Sequence, residues 1–151
     1  MKVGIIGAGS MGHAHAVGWK KTDADIIGVL SSNPKKSKLL AQKLGANVYE
    51  SYEALLRDVD IVDICIPTHL HKDYVLQAAK ADCHILCEKP IALTVADGLE
   101  MISVCETANV RFFIGMVLHF FPEYISMKRA IDSGAIGEPQ VVRLICASYR
   151  P

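Results

Sequence analysis

Gly7-Ala8-Gly9-Ser10-Met11-Gly12 is the stretch on which the reading of this chain turns. The apolar run Val3-Gly4-Ile5-Ile6 leads into it, and a proline-free segment, 11–20, follows. That order is strand, glycine turn, helix. In such a unit the glycines have separate tasks: Gly7 permits the tight turn, Gly9 lets a pyrophosphate approach the backbone, and Gly12 lets helix and strand pack closely. The N–H groups that open the helix, from Ser10 and Met11 onward, are free to face an anion, and the helix dipole favours one there. A tight turn in some other α/β fold is the alternative.

The remainder of the chain extends this pattern. Apolar runs at 26–30, 46–49, 61–66, 84–87, 111–115 and 140–147 read as strands. Segments 35–44, 51–57, 69–80, 94–108 and 122–132 read as helices, with Asn33 and Pro34 as cap and first residue of one and Gly45 closing it. Thr94 and Asp97 have capping-box spacing, with Asp in place of Glu or Gln. Regular alternation of this kind predicts an α/β fold, a doubly wound parallel sheet covered on both faces. Ligands of such sheets bind beyond the carboxyl ends of the strands. That edge gathers the loops at 7–12, 31–35, 67–71 and 87–90.

Bulk properties narrow the function classes. In 151 residues, 51% hydrophobic and 21% charged, a globular, soluble domain with a real core is expected. Sixteen basic and sixteen acidic side chains cancel, which argues against nucleic acid or an anionic membrane as partner. The five cysteines form no close pair and sit mostly in apolar runs, as reduced thiols of a cytoplasmic protein do. Neither a leader peptide nor a membrane-length apolar run is visible. His69-Leu70-His71 lacks further ligands at familiar spacing, so no metal site is expected. Asp63, inside an apolar strand, reads as a paired structural carboxylate; of His13 and His15 in the first helix, His13 is near enough to the glycine turn to contact a cofactor but reads as a structural histidine.

Where an acid usually holds the adenosine ribose, at the end of the second strand, this chain has Ser31-Ser32, followed by Lys35 and Lys36. Hydroxyls with nearby cations suit a 2′-phosphate, so NADP is the expected cofactor ahead of NAD. Solvated helix lysines are the ordinary alternative. A second constellation follows two buried strands: Pro67-Thr68-His69-Leu70-His71 and Cys87-Glu88-Lys89-Pro90. An acid and a base there are candidates for proton and hydride chemistry, Lys89 through partial burial that would make its proton labile. A plain surface Glu–Lys pair is the alternative for an isolated motif.

Taken together, the glycine turn, the Pro-Thr-His-Leu-His loop and His84-Ile85-Leu86-Cys87-Glu88-Lys89-Pro90-Ile91 resemble the glucose–fructose oxidoreductase / inositol dehydrogenase (Gfo/Idh/MocA) family over nearly the whole chain. The resemblance implies a Rossmann domain binding NAD or NADP. It also implies redox chemistry at a hydroxyl or carbonyl of a polyhydroxy substrate, mostly sugars and cyclitols, with dihydrodiols or imines in some members. It implies Lys89 as the catalytic residue near the nicotinamide, Glu88 helping to hold the cofactor, and Pro67, Thr68 and His71 lining the ribose and nicotinamide side. His119 stands where the family often has Arg, and Ala81-Asp82 where it often has glycine. Family members are more than twice this long, and their second domain supplies a further catalytic histidine and often the oligomer contacts. Residues 1–120 are thus expected to be the dinucleotide domain and 121–151 the start of an incomplete second one. The resemblance further suggests a fragment that binds cofactor but turns over poorly, from a homo-oligomer in full-length form. A non-catalytic dinucleotide sensor or partner-binding module is the rival class, and a nucleotide-sugar or CoA-type binder a third.

Overall fold

A computed structural model describes residues 1–145, in which strands and helices alternate from Lys2 onward. Strand β1 (Lys2–Ile6) leads through the glycine turn into α1 (Ser10–Trp19), then β2 (Asp25–Leu30), α2 (Pro34–Leu44), the short β3 (Asn47–Val48) and α3 (Tyr52–Leu56). The second half-sheet comprises β4 (Ile61–Ile64), α4 (His71–Lys80), β5 (His84–Cys87), α5 (Val95–Thr107) and β6 (Phe112–Ile114). A 3-10 turn at Val117–Phe120 and α6 (Pro122–Asp132) follow. Residues 69 and 70, expected to begin a helix, lie instead in a 3-10 turn, Thr68–Leu70, ahead of α4.

Local chemistry sets these boundaries. The Asn33 side chain accepts the Lys36 N–H at 3.1 Å, Pro34 opens α2, and Gly45 closes it at φ 69°. Ser51 accepts the Ala54 N–H at 3.1 Å, and Thr94 accepts that of Asp97 at 3.1 Å. Each such cap stabilises its helix by about 1 kcal/mol. Asp97 returns the contact by accepting the Thr94 hydroxyl at 2.6 Å. Asp82 takes the left-handed φ of 57°.

All six strands are parallel, in the order β3-β2-β1-β4-β5-β6. The chain therefore reverses its direction of winding between β1 and β4, where a crevice opens at the carboxyl edge. Alternate residues of β1 serve opposite faces. Val3 and Ile5 join Val29, Leu40 and Ala41 under α1 and α2, while Ile6 joins Leu55, Ile64, Val75, Ile85 and Met101 on the other side. Burial on both faces explains why the strands read as continuous apolar runs.

Of the expected strand 140–147, residues 140–145 take no regular structure, and 146 and 147 lie outside the described residues. A lone strand has no neighbour to pair its backbone with, so its propensity alone does not order it. The chain separates into two compact units, Met1–Gly115 and Met116–Pro151. Among the described residues no helix is long and apolar enough to cross a membrane.

Candidate cofactor and active site

Sheet register builds the site. Leu30, Ile6, Ile64, Cys87 and Ile114 form one row across β2, β1, β4, β5 and β6. The ladder continues one residue further: Gly7 N–H bonds to Leu30 O at 2.8 Å, Cys65 N–H to Ile6 O at 2.8 Å, Glu88 N–H to Ile64 O at 2.9 Å, and Gly115 N–H to Cys87 O at 2.8 Å. The glycine turn and the Glu88-Lys89-Pro90 turn thus leave the same edge, separated by β4.

The glycines of the turn behave as three different residues. Gly7 has φ 102°, and a Cβ there would collide with the Cys65 carbonyl. A Cβ on Gly12 would collide with the Gly7 carbonyl. A Cβ on Gly9 would point into open space, the room a pyrophosphate needs. No side chain caps α1, so its first-turn N–H groups, including those of Ser10 and Met11, are open to an anion. These features fit a dinucleotide. His13 is occupied locally, with Nδ1 2.9 Å from the Gly9 carbonyl oxygen.

Along this edge runs a cleft of about 500 Å³, floored by Gly7, Ala8 and Gly9 and flanked by Ser31, Ser32 and Asn33 on one side and Cys65, Ile66 and Pro67 on the other. Lys36 lines it; Lys35 does not. The reason is helical geometry: adjacent residues of a first turn point about 100° apart. Glu50, Tyr52, Leu70 and Tyr74 also line it, and of these the sequence had marked only Leu70, within the Pro67–His71 loop. Tyr52 and Tyr74 stack at 4.5 Å between ring centroids, and the Tyr52 hydroxyl donates to the Tyr74 carbonyl at 2.9 Å.

His71 does not line this cleft. It is buried, with Nδ1 3.0 Å from the Pro90 carbonyl oxygen and Nε2 2.9 Å from that of Ile66. Its position fastens the loop after β4 to the loop after β5 from beneath. Thr68 is half-buried in the 3-10 turn. Lys89 is exposed rather than partly buried, at a turn whose next peptide bond, Lys89–Pro90, is cis.

Glu88 is 5% exposed and faces inward. Its Oε2 accepts the Lys89 N–H at 3.0 Å, and its Oε1 lies 3.0 Å from His15 Nε2. The other ring nitrogen, Nδ1, lies 2.9 and 3.0 Å from the two oxygens of fully buried Asp63. Asp63 also accepts the Trp19 indole N–H at 2.7 Å. The hydrogen bond with Asp63 is the main cause of a raised His15 pKa; it outweighs the burial that lowers it, and the Asp63 charge and then Glu88 add to the rise. The donor atoms of His15, Asp63 and Cys65 lie within 4.8 Å of one another. The hydrogen bonds already account for that cluster, so it gives no reason to invoke a metal. Asp63 is the paired structural carboxylate expected. His15 and Trp19 were recognisable as partners only through their i, i+4 spacing on α1, which puts both on one face. Cys83, Cys87 and Cys105 are buried free thiols and Cys65 is half-buried. Burial pushes Cys87 up to about 12 and Cys83 to about 11, which leaves both unreactive.

Residues 1–116 match the family model described as "Oxidoreductase family, NAD-binding Rossmann fold" (GFO_IDH_MocA). The chain belongs to the Gfo/Idh/MocA family. Among curated relatives, the Gfo/Idh/MocA chain is 34% identical over 155 aligned residues to the myo-inositol 2-dehydrogenase of Thermotoga maritima, covering 100% of this chain and 46% of that protein. It is 36% identical over 108 residues to the 2,7-anhydro-N-acetylneuraminate hydratase of Escherichia coli, covering 70% of this chain and 29% of that protein. The solved apo scyllo-inositol dehydrogenase from Lactobacillus casei superposes with a TM-score of 0.84 at 29% identity, over 91% of this chain and 43% of that one. The chain spans less than half the length of these relatives.

Proposed function

We propose that this chain is the nicotinamide-dinucleotide-binding part of an oxidoreductase that acts on a hydroxyl or carbonyl of a polyhydroxy substrate, a sugar or cyclitol. The observation that carries this reading is one sheet edge bearing both an open glycine turn and, two strands away, the exposed Lys89. Family membership and the inositol dehydrogenase names of two of the relatives support the substrate class.

When bound, a nicotinamide would supply hydride-accepting and hydride-donating chemistry. The first-turn N–H groups of α1 would hold the pyrophosphate, with Gly9 leaving room for it. Ser31, Ser32 and Lys36 would bind a 2′-phosphate, which makes NADP the preferred cofactor. Pro67 and Thr68 would border the ribose and nicotinamide side. Glu88 would act through the Lys89 turn it braces, and His71 through the loops it joins. Lys89 would exchange a proton with the substrate oxygen as the carbon changes oxidation state. Residues 1–120 form the dinucleotide domain in this reading, residues from 121 begin a second domain, and the full-length protein is a cytoplasmic homo-oligomer.

Fluorescence titration of the chain with NADPH and with NADH tests the core of the proposal. Saturable binding of NADPH, tighter than NADH, is the expected result. Absence of binding to either overturns the proposal. Tighter NADH binding overturns the NADP assignment and transfers the adenosine ribose to Glu50, the cleft's carboxylate.

A further inference from the structure

We infer that His15 is a positioning residue for Lys89: held between two carboxylates, it fixes Glu88 in the one orientation that anchors the Lys89 backbone. This inference rests on the reading of Lys89 as the proton-exchanging group.

The geometry leaves Glu88 little choice. Its backbone is tied to β4 through Ile64, and its carboxylate sits inside the protein. On one side Gly115 crowds it so closely that a Cβ there would lie 2.9 Å from Oε1. On the other, His15 Nε2 stands 3.0 Å from the same oxygen. The remaining oxygen takes the Lys89 N–H at 3.0 Å. A carboxylate trapped in this way transmits any change at His15 directly to the peptide group of Lys89.

His15 is in turn fixed from the opposite side. Both Asp63 oxygens face Nδ1, and Asp63 is oriented by the Trp19 indole one helical turn further along α1. An imidazole donates from both nitrogens only as the imidazolium. The ionisable groups that face this cation are Asp63 from β4, Glu88 after β5, and Cys65, whose thiol lies 3.5 Å from Asp63 Oδ1. Two buried carboxylates thus share one cation. Loss of its second proton removes one of the two bridges and leaves a lone pair directed at a carboxylate. The connection from β4 through α1 to the Lys89 turn accordingly works in one protonation state and slackens in the other. It also couples the helix that begins at the glycine turn to the turn that carries Lys89.

The test is nitrogen-15 NMR of the intact 151-residue chain without cofactor, followed from pH 6 to pH 9. The His15 ring is expected to carry protons on both nitrogens at pH 6 and to lose one at higher pH. The Lys89 amide resonance should move with the same midpoint, while the distant Gly45 amide stays still. In His15→Gln the Lys89 response should disappear, and NADPH affinity should stay within about threefold of the parent. A singly protonated ring at pH 6 overturns the inference, as does a Lys89 amide that ignores the His15 titration or a full response in His15→Gln. Should that variant not fold, the parent titration and Glu88→Gln, which removes one of the two carboxylates, decide the matter by the same readout. NADPH titration of the parent is independent: binding without coupling overturns this inference alone, and coupling without binding overturns the proposed function alone.

Discussion

Asp63→Asn isolates the buried network. The substitution preserves shape and removes a charge. Besides the weak Cys65 thiol at 3.5 Å, two donors converge on Asp63, the His15 ring at 2.9 Å and the Trp19 indole at 2.7 Å. An amide offers one acceptor oxygen, so it can satisfy one of these donors while its NH₂ group faces the other. A lost hydrogen bond to a charged group costs about 1.5–3 kcal/mol, and the stranded donor adds to that. The expected destabilisation is about 2–4 kcal/mol, less than the roughly 5–15 kcal/mol that keeps a domain folded, so the variant stays native at 25 °C.

The pH dependence carries a sign. His15 has its folded pKa raised above 6.5, chiefly by the hydrogen bond with Asp63. Its contribution is therefore complete below the unfolded value and is lost as pH rises through the folded one. Asp63→Asn removes the main cause, so the gap between parent and variant is widest near pH 6 and narrows toward pH 9. Urea unfolding followed by Trp19 emission measures it; this is the single tryptophan, and its indole is part of the network. Equal midpoints, or a gap that widens as pH rises, would refute the reasoning.

Other substitutions separate fold from function. Gly9→Ala places a methyl in open space, so thermal stability should hold while NADPH affinity drops by about tenfold, roughly 1.4 kcal/mol, in a fluorescence titration. Gly12→Ala drives a methyl into the Gly7 carbonyl and should cost about 1–3 kcal/mol of stability in urea whether or not cofactor is present. Lys36→Ala should weaken NADPH about fivefold and leave NADH unchanged, the size of an exposed charge contact of about 1 kcal/mol; Lys35→Ala should change neither. In the active enzyme, Lys89→Met should reduce kcat about 10²–10⁴-fold with cofactor affinity retained, and an unchanged kcat would remove Lys89 from its proposed role.

Much of the fold was legible because it follows from local rules. Asn33, Pro34 and Gly45 bound a helix by capping chemistry, and the β-branched run ending at Ile64 could bury itself on both faces only in a parallel sheet. Over 140–145 the expected strand misled for the same reason: an apolar run states a preference, and pairing requires a neighbour. Within the site, the glycine turn could be read because each glycine answers a constraint inside a dozen residues. That Lys36 and not Lys35 lines the cleft could not be read, because a linear sequence does not show the azimuth of a helix over a cleft. His71 was assigned to the cofactor side by its motif, yet its two ring nitrogens face the carbonyls of Ile66 and Pro90, far apart in the chain.

By itself, then, the sequence determined the elements, their order, the dinucleotide signature and the family, because propensities, caps and turn glycines act over a few residues. Tertiary structure alone decided which side chains meet. His15, Asp63 and Glu88 lie 48 and 73 residues apart along the chain and become neighbours only when β1, β4 and β5 align in register. A buried Asp63 announced that a partner was needed; only the packing of α1 over that strand identified it.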